Sequence, residues 1–211
     1  MRVPVEPATL GAYAVAVLAI VVSPGPDTML ILRYALTSGQ KAGFAAVAGV
    51  QLGLMVHTVL AVLGISLVIA SSPVLFKGVA IAGAAYLAWL GIQGFRDAGT
   101  IRLDGSKRPV GAARACRDAV ITNVLNPKVI LLFLALLPNF VDTGRGDVPA
   151  QLITLAAVLI VINVAWQAPL AWAAQIIRRW LIRPPVQRAI SRLTGAILLL
   201  FAGLMLYEHL V

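Results

Sequence analysis

Apolar residues in this chain gather into runs of about 20 residues and longer, parted by short polar stretches, with no sustained strand-like alternation. About 20 such residues cross roughly 30 Å of hydrocarbon at a helical rise of about 1.5 Å per residue. Six runs fit, at residues 10–35, 44–70, 74–95, 119–141, 150–176 and 190–209. Because lipid satisfies no backbone hydrogen bonds and barrel-like alternation is missing, the expected fold is all-α, a polytopic bundle of six transmembrane helices.

Composition agrees with this solvent. The chain is 60% hydrophobic and 12% charged, with a mean hydropathy of +0.93, more apolar surface than a soluble domain of this size can bury. Its formal charge of +9 follows from topology. Thirteen of its seventeen Lys and Arg fall on one face, in its loops or at the adjoining ends of the spans, among them Arg33, Lys41, Arg96, Arg117, Arg179 and Arg192. Arg2, Lys77 and Arg145 fall on the other, and Lys128 lies inside a span. The positive-inside rule makes the richer face cytoplasmic and both termini external, which leaves the charge no need of a nucleic-acid partner.

The longest loop lies at residues 97–117 and is too short for a core of its own. It divides the chain into residues 1–96 and 118–211, with three spans each. An odd number of spans per half forces opposite orientations, so the expected architecture is two three-helix inverted-topology repeats. Displacing one half by 101 positions lays Gly25-Pro26-Asp27 on Asn126-Pro127-Lys128.

Those two segments hold the candidate chemistry. Each sets a helix-breaking proline and one ionisable residue within an apolar span, where both are costly. Pro24 and Pro26 flank Gly25 and should unwind about one turn. Helix N-terminal N–H groups freed at such a break can hold a carboxylate, and freed carbonyls can hold an ammonium or a coupling cation. Asp27 and Lys128 add one charge of each sign and are expected to pair when the site is empty. As a bland alternative, each proline is a harmless kink and Lys128 snorkels to the headgroups.

Asn163 and Gln167 share a helix face just before Pro169, as a cavity wall or as interhelical glue. Gln51 has the same two readings. His57 is read first as a satisfied core histidine, and second as a proton relay. Gly49 and Gly53 form a small-xxx-small pattern that suits a close helix contact, and dimerisation through the glycine faces is compatible with the sequence.

Cys116 is alone, and His57 and His209 are far apart, so neither a disulfide, a thiol relay nor a metal site is expected. No nucleophile elbow, P-loop or HExxH motif is present, which leaves a hydrolase or an ATP-driven pump without its parts; no enzyme activity and no cofactor are expected.

Ser23-Pro24-Gly25-Pro26-Asp27, the glycines 43, 49 and 53, the stretch Gly83-Ala84-Ala85-Tyr86-Leu87 to Gly91, and Asn123-x-x-Asn126-Pro127-Lys128 together resemble the LysE/RhtB family of amino-acid exporters. The resemblance covers nearly the whole chain in order. It implies an inner-membrane permease that exports amino acids or their derivatives, driven by a proton or ion gradient. The family varies at the position of Asp27, where asparagine is also familiar, and its substrates are many.

The reading is therefore a secondary-active exporter, its coupling ion H⁺ or Na⁺, whose two halves rock about a midplane site. Pro24, Gly25, Pro26, Asp27, Asn123, Asn126, Pro127, Lys128, Asn163 and Gln167 are the substrate-binding or coupling residues. The alternative is a passive channel or a non-transporting membrane protein on the same scaffold.

Overall fold

The structure, a computed structural model, describes residues 4–23, 25–71, 73–96, 109–174, 176, 179 and 183–210. Pro24 and most of the predicted connecting loop lie outside the described residues. Among the described residues eight α-helices follow in order: α1 (Pro7–Val22), α2 (Pro26–Ser38), α3 (Gln40–Ser71), α4 (Pro73–Arg96), α5 (Ala112–Val124), α6 (Pro127–Leu131), α7 (Val148–Trp172) and α8 (Pro184–Leu210). There is no strand among the described residues.

α3, α7 and α8 each contain a stretch long and apolar enough to cross a membrane, and two bent pairs bring the number to as many as five. α1 and α2 meet at 54°, and α5 meets the segment from Lys128 to Phe140 at 58°. The predicted first and fourth spans are thus both broken, and the fourth begins earlier than expected, at Ala112. α4, 24 residues long, occupies the predicted third span.

Local chemistry accounts for the breaks. A proline's ring disfavours helical geometry in the residue before it. Ser23, Gly25 and Asn126 each precede a proline, and each is extended: φ, ψ are −61°, 120° at Ser23, −145°, −175° at Gly25 and −74°, 111° at Asn126. Pro26 and Pro127 then occupy the first turns of α2 and α6, where a missing N–H costs nothing. After α6 the chain loosens into a π turn (Leu132–Leu136) and tightens into a 3₁₀ turn at Leu137–Phe140. Pro138, without an N–H, prevents the regular helix from continuing there.

α3 lies centrally, against α2, α5 and α7; α4 packs on α8, and α1 packs on α7 and α8. Glycines set the closest seams. A Cβ on Gly49 would run into the Cys116 carbonyl, and one on Gly53 would fall 2.8 Å from Asn123 Cβ. Between α4 and α8, a Cβ on Gly91 would lie 2.9 Å from the Gly195 carbonyl oxygen. Gly43 meets Ala35 and Ala171 in the same way. The glycine faces expected to serve a homodimer are therefore used inside the chain, and a homodimer has to use other surface.

Tyr13, Leu54, Leu136, Leu155 and Leu159 belong to the largest buried cluster, while Leu60, Leu63, Val161, Leu193 and Leu200 project outward. So many large aliphatic side chains on the outside suit acyl chains and would be a liability in water. The protein is a multi-pass membrane protein.

Candidate functional site

The two breaks lie against each other. Asp27, in the first turn of α2, is 8% exposed. Its Oδ2 accepts hydrogen bonds from Asn123 Nδ2 at 2.9 Å and Asn126 Nδ2 at 3.1 Å, both from beside the second break. Its Oδ1 is buried and has no hydrogen-bond partner among the described residues. Asn126 has a double role, since its Oδ1 also caps α6 by accepting from the Lys128 N–H at 3.0 Å.

Lys128 reaches the opposite way. Its Nζ donates to the Ser23 carbonyl at 2.7 Å, an oxygen at the end of α1 that the break has released from helical bonding. The expected pairing of Asp27 with Lys128 is not formed: no direct ion pair joins them. One carboxylate oxygen is taken up by two amides, and the ammonium is taken up by a free carbonyl, so each charge meets the other break through hydrogen bonds.

Beyond this layer, His57 Nε2 lies 3.3 Å from the Asn123 carbonyl oxygen, and its ring stacks on Phe133 with centroids 5.4 Å apart. Across the site, Gln51 Nε2 donates to Asn163 Oδ1 at 3.2 Å and Gln167 Oε1 at 3.1 Å. Thr194, on α8, donates to the Ala19 carbonyl near the end of α1 at 3.2 Å.

A cavity of about 40 Å³ opens at the junction. Ser23, Gly25, Asp27 and Thr28 line it from the first break, Asn126 and Lys128 from the second, and Asn163 and Gln167 from α7. Of the residues singled out by sequence, Gly25, Asp27, Asn126, Lys128, Asn163 and Gln167 thus surround one space. Asn123 stands directly behind it, and Pro26 and Pro127 hold the helix starts. Thr28 and the Ser23 carbonyl were not foreseen, since neither the hydroxyl nor the backbone oxygen stands out until the break is seen. Among the described residues no group of His, Cys, Asp and Glu could hold a metal ion.

The sequence comparisons agree with one another. The LysE type translocator family matches residues 18–209. An uncharacterized membrane protein of Bacillus subtilis, YrhP, is 33% identical over 92% of this chain and 96% of its own length. The homoserine/homoserine lactone efflux protein of Salmonella typhi is 31% identical, over 92% of this chain and 94% of its own. The leucine efflux protein of Enterobacter sp. strain 638 is 30% identical over 90% of each. No solved structure matches at a significant level. With the family match running through both breaks and nearly end to end, this chain belongs to the LysE type translocators.

Proposed function

We propose that the protein is a secondary-active exporter of amino acids or close derivatives in the cytoplasmic membrane, working by alternating access around the cavity at the two breaks. The observation that carries this reading is the junction itself. Two interrupted helices from different halves of the chain bring a buried carboxylate, an ammonium and a freed carbonyl to one cavity inside an apolar bundle, an arrangement with no evident structural need. The substrate's ammonium goes to Asp27 and its acyl end to the surrounding donors. A cavity of about 40 Å³ suits water more than a substrate, because small-molecule sites run to roughly 300 Å³ and above. Loading therefore requires the walls to part. The gradient that drives export is of protons or sodium ions.

Six spans in two inverted halves, with the arginine-rich face cytoplasmic and both termini outside, complete the proposal. The helix packing supports it. When α1/α2 is exchanged with α5/α6 and its following turns, α3 with α7, and α4 with α8, the set of packed pairs maps onto itself except for α3–α4. Matching breaks of 54° and 58° fall at corresponding places.

Counterflow in proteoliposomes tests the function: vesicles preloaded with L-leucine or L-homoserine should take up the labelled compound transiently, and an imposed gradient should drive net accumulation. A channel would equilibrate label without accumulating it. Asp27→Ala should insert normally, since losing a mid-membrane charge eases insertion by about 2.5–3.5 kcal/mol, yet should not transport. Full transport by that variant would remove Asp27 from the site.

A further inference from the structure

The amide cluster opposite Asp27 has a fixed polarity. Gln51 Nε2 lies 3.2 Å from the Val47 carbonyl oxygen, one turn back on α3. A carbonyl only accepts, so the atom facing it must be the nitrogen. The same nitrogen lies 3.2 Å from Asn163 Oδ1 and 3.1 Å from Gln167 Oε1, so each presents its oxygen to Gln51, and the hydrogen not used on Val47 is shared between the two. One backbone carbonyl therefore sets the orientation of three side-chain amides. The –NH₂ groups of Asn163 and Gln167 are turned away from Gln51 and donate no hydrogen bond to the protein among the described residues, while both residues line the cavity.

The other wall is the reverse. Asp27 and Ser23 line the same space, and Asp27 Oδ1 is buried with no partner among the described residues. The cavity thus lies between the acceptor-bearing residues Ser23 and Asp27 on one side and the amides of Asn163 and Gln167 on the other. Lys128 Nζ spends one of its three N–H donors on the Ser23 carbonyl at 2.7 Å, so it is the competing partner for a carboxylate that the test has to separate from the amides.

Resting on the exporter reading above, we infer that the amides of Asn163 and Gln167 receive the acyl oxygen of the substrate, and that Gln51 is the positioning residue that keeps their donors turned toward it. Neutral N–H donors bond the oxygen of a carboxylate and of an ester, lactone or amide alike. The substrate class is then a primary ammonium beside an acyl group, whether or not that group is ionised. An amine without an acyl group uses only the Asp27 wall.

Gln51→Glu tests this. At position 51 a carboxylate repels the Val47 carbonyl and both amide oxygens, and a neutral carboxyl has a single O–H for all three; either way the amides of Asn163 and Gln167 are released to turn their –NH₂ groups to it and their oxygens to the cavity. Proteoliposome counterflow of L-leucine should then show KM raised on the order of tenfold or more, with L-homoserine lactone affected equally. Inhibition by isoamylamine, which lacks the acyl group, should be no weaker than in the wild type. Gln167→Glu keeps the oxygen facing Gln51 and replaces only the donor turned to the cavity; it should give the same split, and it serves if Gln51→Glu fails to reach the membrane. Leucine and isoamylamine weakening together would make Gln51 merely structural and overturn the inference. So would an unchanged leucine KM, or a selective leucine defect in Lys128→Met that Gln51→Glu lacks. If the wild-type protein shows no counterflow of any amino acid or lactone, the exporter reading itself falls, and this inference with it.

Discussion

Gly53→Ala adds one methyl group where the structure has no room for it. The new Cβ would stand 2.5 Å from Asn123 Oδ1, 2.8 Å from its Cβ and 2.9 Å from its Cγ. Carbon atoms rest at about 3.5–4.0 Å, so the α3–α5 seam must open by about 0.7–1 Å. Asn123 cannot simply retreat, since it is fully buried, its Nδ2 holds Asp27 at 2.9 Å and its carbonyl meets His57. Overpacking of this kind costs about 1–3 kcal/mol, and loosening a hydrogen bond to a charged group adds about 1.5–3 kcal/mol. Thermal unfolding in detergent should register the first cost, and counterflow should show transport lost with it. Gly49→Ala strikes the Cys116 backbone one turn away and should destabilise with a smaller effect on substrate affinity. Gly11→Ala and Gly203→Ala, with nothing within 4 Å, are the silent controls. Wild-type stability and transport in Gly53→Ala would mean that the two helices do not meet this closely, and the account of how Asp27 is held would go with it.

Asn126→Ala removes the α6 cap and one of the two bonds to Asp27 together; stability measured in detergent should fall by about 1–3 kcal/mol, with transport reduced in the same variant. Tyr34→Phe deletes the 2.7 Å hydrogen bond from α2 to Asp118 on α5, away from the cavity. It should cost about 1.5 kcal/mol in the same unfolding assay, the low end for a bond to a charged group because Asp118 is partly exposed, and leave the KM for leucine unchanged.

The breaks were legible in the sequence because proline acts locally: a missing N–H and a ring that constrains the preceding residue need no tertiary knowledge. The Gly49/Gly53 spacing likewise announced a close helix approach, although not that Asn123 would fill it. What stayed hidden were the partners. Asp27 and Lys128 carry opposite charges, and attraction between them was the natural expectation, yet each met a nearer uncharged group that the fold had supplied. Gln51 could not be ranked, because one amide in an apolar helix has no pattern of its own; its meaning comes from Val47 behind it and α7 in front. The π turn after α6 left no mark in the sequence beyond Pro138, since it reflects how Leu132, Phe133 and Leu136 pack against α3 and α4.

The glycine seams bear on which parts can move. Gly49 and Gly53 join α3 to α5, and Gly91 and Gly195 join α4 to α8, so both seams cross from the first half of the chain to the second. Rocking of two intact three-helix halves would have to shear apolar surfaces packed at backbone distance, exchanging close helix–helix dispersion contacts for looser ones with acyl chains. The bonds around the cavity differ, because Asn123, Asn126 and Lys128 hold the first break through side chains alone, and water or substrate can substitute for them. Motion should therefore concentrate at the breaks while the seams stay shut. Spin labels in a Cys116→Ser background give the check. A pair at Met55 on α3 and Ile121 on α5, both about half exposed, should keep its distance distribution when leucine is added. A pair at Leu18 on α1 and Leu134 beyond the second break, also about half exposed, should shift. Movement of the first pair with the second fixed would restore the rocking halves and show that the glycine contacts open in each cycle.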